Sequence, residues 1–125
     1  MNFLLVAAGG AAGSVARYWM ALAVLRLTGP GFPLGTVLIN ILGSFVIGWF
    51  SIFTAPGGRF PAPESTRAFV MTGLCGGFTT FSAFSLQTVE LLRAGQAGRA
   101  LANVLLSVTL CLAATALGIR LGQLQ

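Results

Sequence analysis

Arg17 is the one charged side chain that falls well inside an apolar run of this 125-residue chain. A guanidinium at that depth costs free energy, and membrane segments seldom carry one by accident. It can stand as a fixed positive charge that favours an anion, or snorkel to the interface along its aliphatic stem. Thr36 and Asn40 lie four residues apart, and Ser44 continues the stripe, so the three share one helical face. Asn103, Ser107 and Cys111 repeat the spacing further on. Amides and hydroxyls donate hydrogen bonds to a dehydrated anion without trapping it as a full charge would. The same groups also join helices to one another in lipid. Phe78, Phe81 and Phe84 form an aromatic stripe. Its ring edges are electropositive and can face an anion, although such stripes also serve packing alone.

These residues need elements that hold them at membrane depth. The chain is 56% apolar and 7% charged, with seven arginines, Glu64 and Glu90 as its only acids, and no histidine. About a quarter charged is usual for a soluble domain, so the class is all-α integral membrane. Without histidine or paired carboxylates there is no Ser-His-Asp arrangement, no histidine metal site and no general acid–base pair. The net charge of +5 does not point to nucleic acid, because the arginines lie mostly at segment ends, where lipid headgroups sit. Cys75 and Cys111 read as small buried hydrophobes, from which neither a disulfide nor a redox compartment follows. The N-terminal stretch lacks a basic region ahead of its apolar run and reads as a mature helix, not a signal peptide.

Four spans of about 20 apolar residues are predicted, roughly 3–25, 34–53, 68–92 and 100–119, in a single domain covering 1–125 with both termini on one side. TGPGFP (28–33), APGGRFPAPEST (55–66) and RAGQAGR (93–99) separate them. Ser65 or Thr66 is the expected N-cap of the third helix. Gly9 and Gly13 form a small-residue stripe suited to close packing, within the chain or between copies.

The third span contains GLCGGFTTFSAF (73–84), a poor helix former in an apolar setting. Twenty-five helical residues would run about 37 Å, more than the apolar core of about 30 Å requires. A break is therefore expected at GGFTT. Irregular backbone at that depth survives only when buried in protein or lining a cavity, where freed carbonyls can hold a cation and helix N-termini favour an anion.

Four helices leave little room for a private pore, so a conducting function implies an oligomer. Leaving Arg17 aside, Arg59, Arg67 and Arg120 fall on the terminal side and Arg26, Arg93 and Arg99 on the other. With no excess on either side the positive-inside rule selects no orientation. The expectation is dual topology, with opposite copies paired about a twofold axis in the membrane plane.

GGAAGSVARY (9–18), GTVLINILGSF (35–45) and TGLCGGFTTFSAFS (72–85) occur in the order and at the distances of the Fluc/CrcB family of small bacterial fluoride channels, which the chain resembles over nearly its whole length. The resemblance implies a passive fluoride-selective channel that exports cytoplasmic fluoride and confers fluoride resistance, with no enzymatic activity. It implies a multi-pass protein of the bacterial cytoplasmic (inner) membrane. The expected assembly is an antiparallel dual-topology homodimer with two pores, and the third of its four helices is broken. It places a structural sodium at the dimer interface on the backbone carbonyls of Gly76 and Thr79. It puts Asn40, Phe81, Phe84, Thr36 and Ser107 on the fluoride pathway and matches Arg17 to the family's first-helix arginine. The chain departs from the family pattern at Gln87, where many relatives carry glutamate, at Asn103, where some carry tyrosine, and at Cys111. The rival class, a four-helix proton-coupled small multidrug transporter, needs a carboxylate within its first helix, and this first helix has none.

Overall fold

The computed structural model describes residues 2–125, which fold as helices joined by short turns, with no strand among them. Helix α1 (Asn2–Thr28) ends at Gly29, whose φ of 75° is the left-handed cap position. The Gly29 N–H bonds back to the Leu25 carbonyl at 2.8 Å, and Pro30 prevents the helix from continuing. Helix α2 (Leu34–Phe53) follows a loop of five residues. Its last carbonyls are claimed by side chains: Thr54 Oγ1 donates to Phe50 O (2.7 Å) and Arg67 Nη1 to Ser51 O (2.9 Å).

The third span is assembled from four pieces. A short helix α3 (Glu64–Arg67) leads into a π-helical segment, Ala68–Cys75, then helix α4 (Gly76–Phe78). After two extended residues, helix α5 (Phe81–Arg93) resumes. The span starts directly after Pro63 with no side-chain cap, so the expected capping by Ser65 or Thr66 does not occur; both lie inside the first turn. Pro63 takes the cap position itself, so the Ser65 and Thr66 hydroxyls come too late in the turn to cap it. At its other end α5 closes on Gly95 (φ 73°): Gly95 N–H reaches Leu92 O at 3.0 Å and Gln96 N–H reaches Leu91 O at 2.8 Å. That paired closure is a Schellman motif. Helix α6 (Ala97–Leu124) completes the chain.

Three of these runs, Leu34–Phe53, Glu64–Arg93 and Ala97–Leu124, are long and apolar enough to cross a membrane. At 27 residues α1 is about 40 Å long, but its glycines and Arg17 lower its hydropathy. Helices α1 (Asn2–Thr28) and α6 (Ala97–Leu124) run past the expected spans 3–25 and 100–119, whereas α2 coincides with 34–53.

The packing is that of a membrane protein. Thr36, Thr54, Thr80, Asn103 and Ser107 are buried, whereas Phe3, Trp19, Phe81 and Leu112 are exposed. Water would drive those large apolar side chains inward; lipid does not, and it penalises unpaired polar groups instead. Helix α2 packs along α6, and α1 packs along the π-helical segment and α4. Both contacts bring main chain against main chain. A Cβ at Gly77 would stand 2.9 Å from Gly10 Cα, and one at Gly118 would stand 2.8 Å from Trp49 N. The α1 stripe is used within the chain: Gly9 and Gly13 are buried against Gly73, Leu74 and Phe78.

Candidate ion path at the broken helix

The break falls at Thr79 (φ −82°, ψ 158°) and Thr80 (φ −153°, ψ 110°), both extended. It therefore lies at the threonines that end the expected GGFTT stretch; Gly76, Gly77 and Phe78 remain helical. Gly77 serves instead the approach of α1 and Gly76 borders a cavity, while the change of helical pitch just before them, the π-helical segment, was not foreseen. Such segments recur beside functional sites.

Side chains take up the backbone groups that the break leaves without helical partners. Asn40 Oδ1 accepts from Thr80 N–H at 2.7 Å and Asn40 Nδ2 donates to Thr80 O at 3.0 Å. One amide thus pairs with a single residue's main chain as a neighbouring strand would. Thr80 Oγ1 accepts from Ala83 N–H at 3.1 Å and so caps the start of α5. The break frees the carbonyls of residues 76–79, of which Gly77 O accepts from Ser14 Oγ at 3.4 Å. In an unbroken helix Thr80 N–H would go to Gly76 O and Ala83 N–H to Thr79 O. Both donors are diverted, so the Gly76 and Thr79 carbonyls lose their helical partners.

Two cavities follow one another along α2 and α5, the second of them beside this break. The first, about 420 Å³, lies under the loop of residues 29–33 and is lined by Thr36, Gln87 and Glu90 among others. The second, about 390 Å³, is lined by Asn40, Ser44, Gly76, Thr79, Phe81, Phe84, Ser107 and Cys111. Thr36 and Asn40 are one turn apart on α2, about 6 Å along its axis. Gln87 and Phe84 are three residues apart on α5, about 4.5 Å. The same face of α2 and the same face of α5 therefore line both cavities in succession, with Asn40 and Phe84 where one gives way to the other.

Phe84 is 9% exposed and Phe81 76% exposed, their ring centroids 5.2 Å apart and tilted by 48°. Phe84 thus belongs to the interior of one chain, whereas Phe81 projects from it. Ser107 lines the second cavity and donates to Asn103 Oδ1 at 3.5 Å. Asn103, 1% exposed, is removed from the cavity wall and donates to Thr88 Oγ1 at 2.9 Å. Thr88 in turn donates to Phe84 O at 2.7 Å. The α6 polar track is therefore a hydrogen-bonded chain that ties α6 to α5 behind Phe84, and only its Ser107 and Cys111 face the cavity. Gln87 Oε1 is buried without a hydrogen-bond partner among the described residues. Arg17 is half-buried, lines neither cavity, and has no hydrogen-bond or ion-pair partner among the described residues.

Thr80 and Thr88 escaped the sequence reading. A threonine immediately ahead of an apolar helix is a recognisable capping signal, so Thr80 was within reach. Thr88, isolated in sequence from Asn103, offered none.

A family description, CrcB-like protein, Camphor Resistance (CrcB), matches residues 4–119. A protein of Methylocella silvestris named fluoride-specific ion channel FluC is 54% identical over 118 residues, 94% of this chain and 90% of its own length. Proteins of the same name from Rhodospirillum rubrum (52% identical over 118 residues, 94% and 92% of the two chains) and Opitutus terrae (53% over 116 residues, 93% and 88%) are similarly close. These relatives are channels, not enzymes. The match runs through the paired cavities, the broken span and the flanking helices alike, and the chain is a multi-pass membrane protein belonging to the CrcB-like family.

Proposed function

We propose that the chain is a passive, fluoride-selective channel that lets cytoplasmic fluoride leave down its electrochemical gradient and so confers fluoride resistance. The observation that carries this reading is the succession of two cavities along one face of α2 and one face of α5, with the phenylalanine pair and Asn40 at their junction. The relatives named as fluoride channels supply the identity of the ion. Fluoride approaches past Thr36 and meets Asn40, whose amide spends one N–H on Thr80 and keeps the other for the ion. The positive edges of Phe81 and Phe84, with the Ser107 hydroxyl, replace part of the hydration shell. None of these groups carries a full charge, so each binds weakly enough to let the ion go.

The working unit is an antiparallel dual-topology homodimer with two pores, in the bacterial cytoplasmic membrane, each chain crossing four times with α1 as the first crossing. The equal arginine counts on the two sides support it, as does the exposure of Phe81, which a second copy would cover. The Gly76 and Thr79 carbonyls would hold a structural sodium ion at the interface. The chemistry of these donors fits: they are neutral oxygens deprived of their helical N–H partners, and hard cations take oxygen ligands. Bound there, the ion supplies the charge that holds two broken helices together; the chain's own part is to keep the break open through Asn40 and Thr80.

The test is fluoride efflux from proteoliposomes with Phe81 and Phe84 both replaced by isoleucine. Loss of efflux with an intact dimer is expected. Unchanged efflux would remove the ring-edge argument. Sodium is tested separately by a difference map, which should show an ion on the twofold axis.

A further inference from the structure

The first cavity differs from the second in a respect that an anion would feel. The residues lining the second carry no charge; those lining the first include Glu90 and no other charged side chain. Glu90 lies three residues past Gln87 on α5, on the side away from the break. It is exposed, and among the described residues its carboxylate has no ion-pair or hydrogen-bond partner. Three arginines stand at this end of the spans, Arg26, Arg93 and Arg99, but none lines the cavity. Arg99 turns its guanidinium to the loop above, where Nη1 donates to Gly31 O at 3.0 Å and to Gln96 Oε1 at 3.2 Å. The only other acid, Glu64, stands at the start of the third span and lines neither cavity. The proposed anion path thus begins in a space whose one fixed charge repels anions.

We propose that Glu90 sets the rate at which anions enter the path, by placing a negative potential in the first cavity. An ion moving between this end and Asn40 crosses that cavity, because Thr36 and Gln87 line it directly beside Asn40 and Phe84. A round cavity of about 420 Å³ is about 9 Å across, so an ion inside it lies about 5–9 Å from a charge on the wall, and through water that repulsion lowers an anion's occupancy about two- to fourfold. Glu90 acts through its field, without coordinating the ion. The effect is therefore screened by salt: the Debye length is about 30 Å at about 0.01 M ionic strength and about 3 Å at about 1 M. The field acts on charge alone, so it changes how fast fluoride passes and not the preference for fluoride over chloride.

This inference rests on the channel reading, and one assay separates their failures. Initial fluoride efflux from proteoliposomes is measured for the native protein and for Glu90→Gln, Glu90→Asp, Glu90→Lys and Glu64→Gln, at equal reconstituted protein, in media of about 0.01 M and about 1 M ionic strength. Glu90→Gln should conduct about two- to threefold faster than native at the lower salt and within about 1.3-fold of it at the higher. Glu90→Lys should exceed Glu90→Gln at low salt. Glu90→Asp, which keeps the charge, and Glu64→Gln, which removes one elsewhere, should match native. No efflux from the native protein would overturn the channel reading and this inference with it. Native efflux with Glu90→Gln unchanged or slower at low salt, or with a gain that persists at high salt, would overturn this inference and leave the channel reading standing. If Glu90→Gln does not fold, the comparison of Glu90→Lys with Glu90→Asp decides the same point.

Discussion

Replacing Asn40 by leucine keeps the side chain's size and removes both polar atoms that hold the broken helix. Two bonds disappear together, the 2.7 Å acceptance from Thr80 N–H and the 3.0 Å donation to Thr80 O. Thr80 is 8% exposed, so its main-chain groups are left with little access to water. A buried polar group deprived of its partner costs about 1–3 kcal/mol, which for two groups sums to about 2–6 kcal/mol. Asn40 borders the second cavity, where water can re-pair part of what is lost, so the lower half, about 2–4 kcal/mol, is expected. For a chain of this size that lowers the melting temperature by roughly 5–15 °C. Asn40→Gln retains the amide but lengthens its arm, so it cannot meet both Thr80 groups in the same geometry and should fall between. The assay is thermal unfolding of detergent-purified protein, followed by fluoride efflux of whatever remains folded. If the leucine variant melts within about 0.5 kcal/mol of the native chain, a shift typical of an ordinary surface substitution, then Asn40 does not hold the break and the reasoning fails.

The phenylalanine pair should divide by burial. Phe84→Ala empties an interior site and should cost about 3–5 kcal/mol of stability, whereas Phe81→Ala, on an exposed ring, should leave the melting of a dissociated chain within about 0.5 kcal/mol; melting curves of the two variants at low protein-to-detergent ratio check this. Asn103→Val cuts the hydrogen-bonded chain at Thr88 and should destabilise by about 1–3 kcal/mol, read by melting; Thr88→Val should have a similar effect, and the double variant less than the sum of the two. Gly118→Leu puts a side chain where the α2 main chain already stands, 2.8 Å from Trp49 N for the first atom alone. It should prevent α2 and α6 from packing, giving aggregation on size-exclusion chromatography, while Gly98→Leu, with open space around it, should elute normally.

Much of this architecture could be read from the residues because lipid imposes simple conditions. Length and hydropathy located three of the spans, and glycine and proline located the turns. The break was legible because GGFTT contradicts its apolar surroundings, and it falls within that stretch, though at the threonines and not at the glycines. Glycine permits a break without causing one; the break falls at Thr79 and Thr80 because Asn40, forty residues away, offers Thr80 a better partner than the helix does. No local pattern records such a pairing. For the same reason Thr36, Asn40 and Ser44 could be placed on one face, but not distributed between two cavities. The Asn103 track reads as pore lining by spacing alone. The actual direction of Asn103, toward Thr88 while Ser107 and Cys111 face the cavity, depends on how α5 and α6 meet. Arg17 and the buried Gln87 Oε1 have no partner among the described residues, and nothing in their spacing showed that in advance.

The central claim is that this chain passes fluoride and rejects a larger halide. It is tested most directly with fluoride-selective and chloride-selective electrodes on liposomes containing the purified native protein. They are loaded with fluoride in one preparation and chloride in another, and a potassium ionophore is added to release the electrical constraint. Rapid fluoride efflux that scales with protein, beside chloride release no faster than from protein-free liposomes, is the predicted result. Equal release of both anions, or fluoride retained as well as in protein-free liposomes, would contradict it.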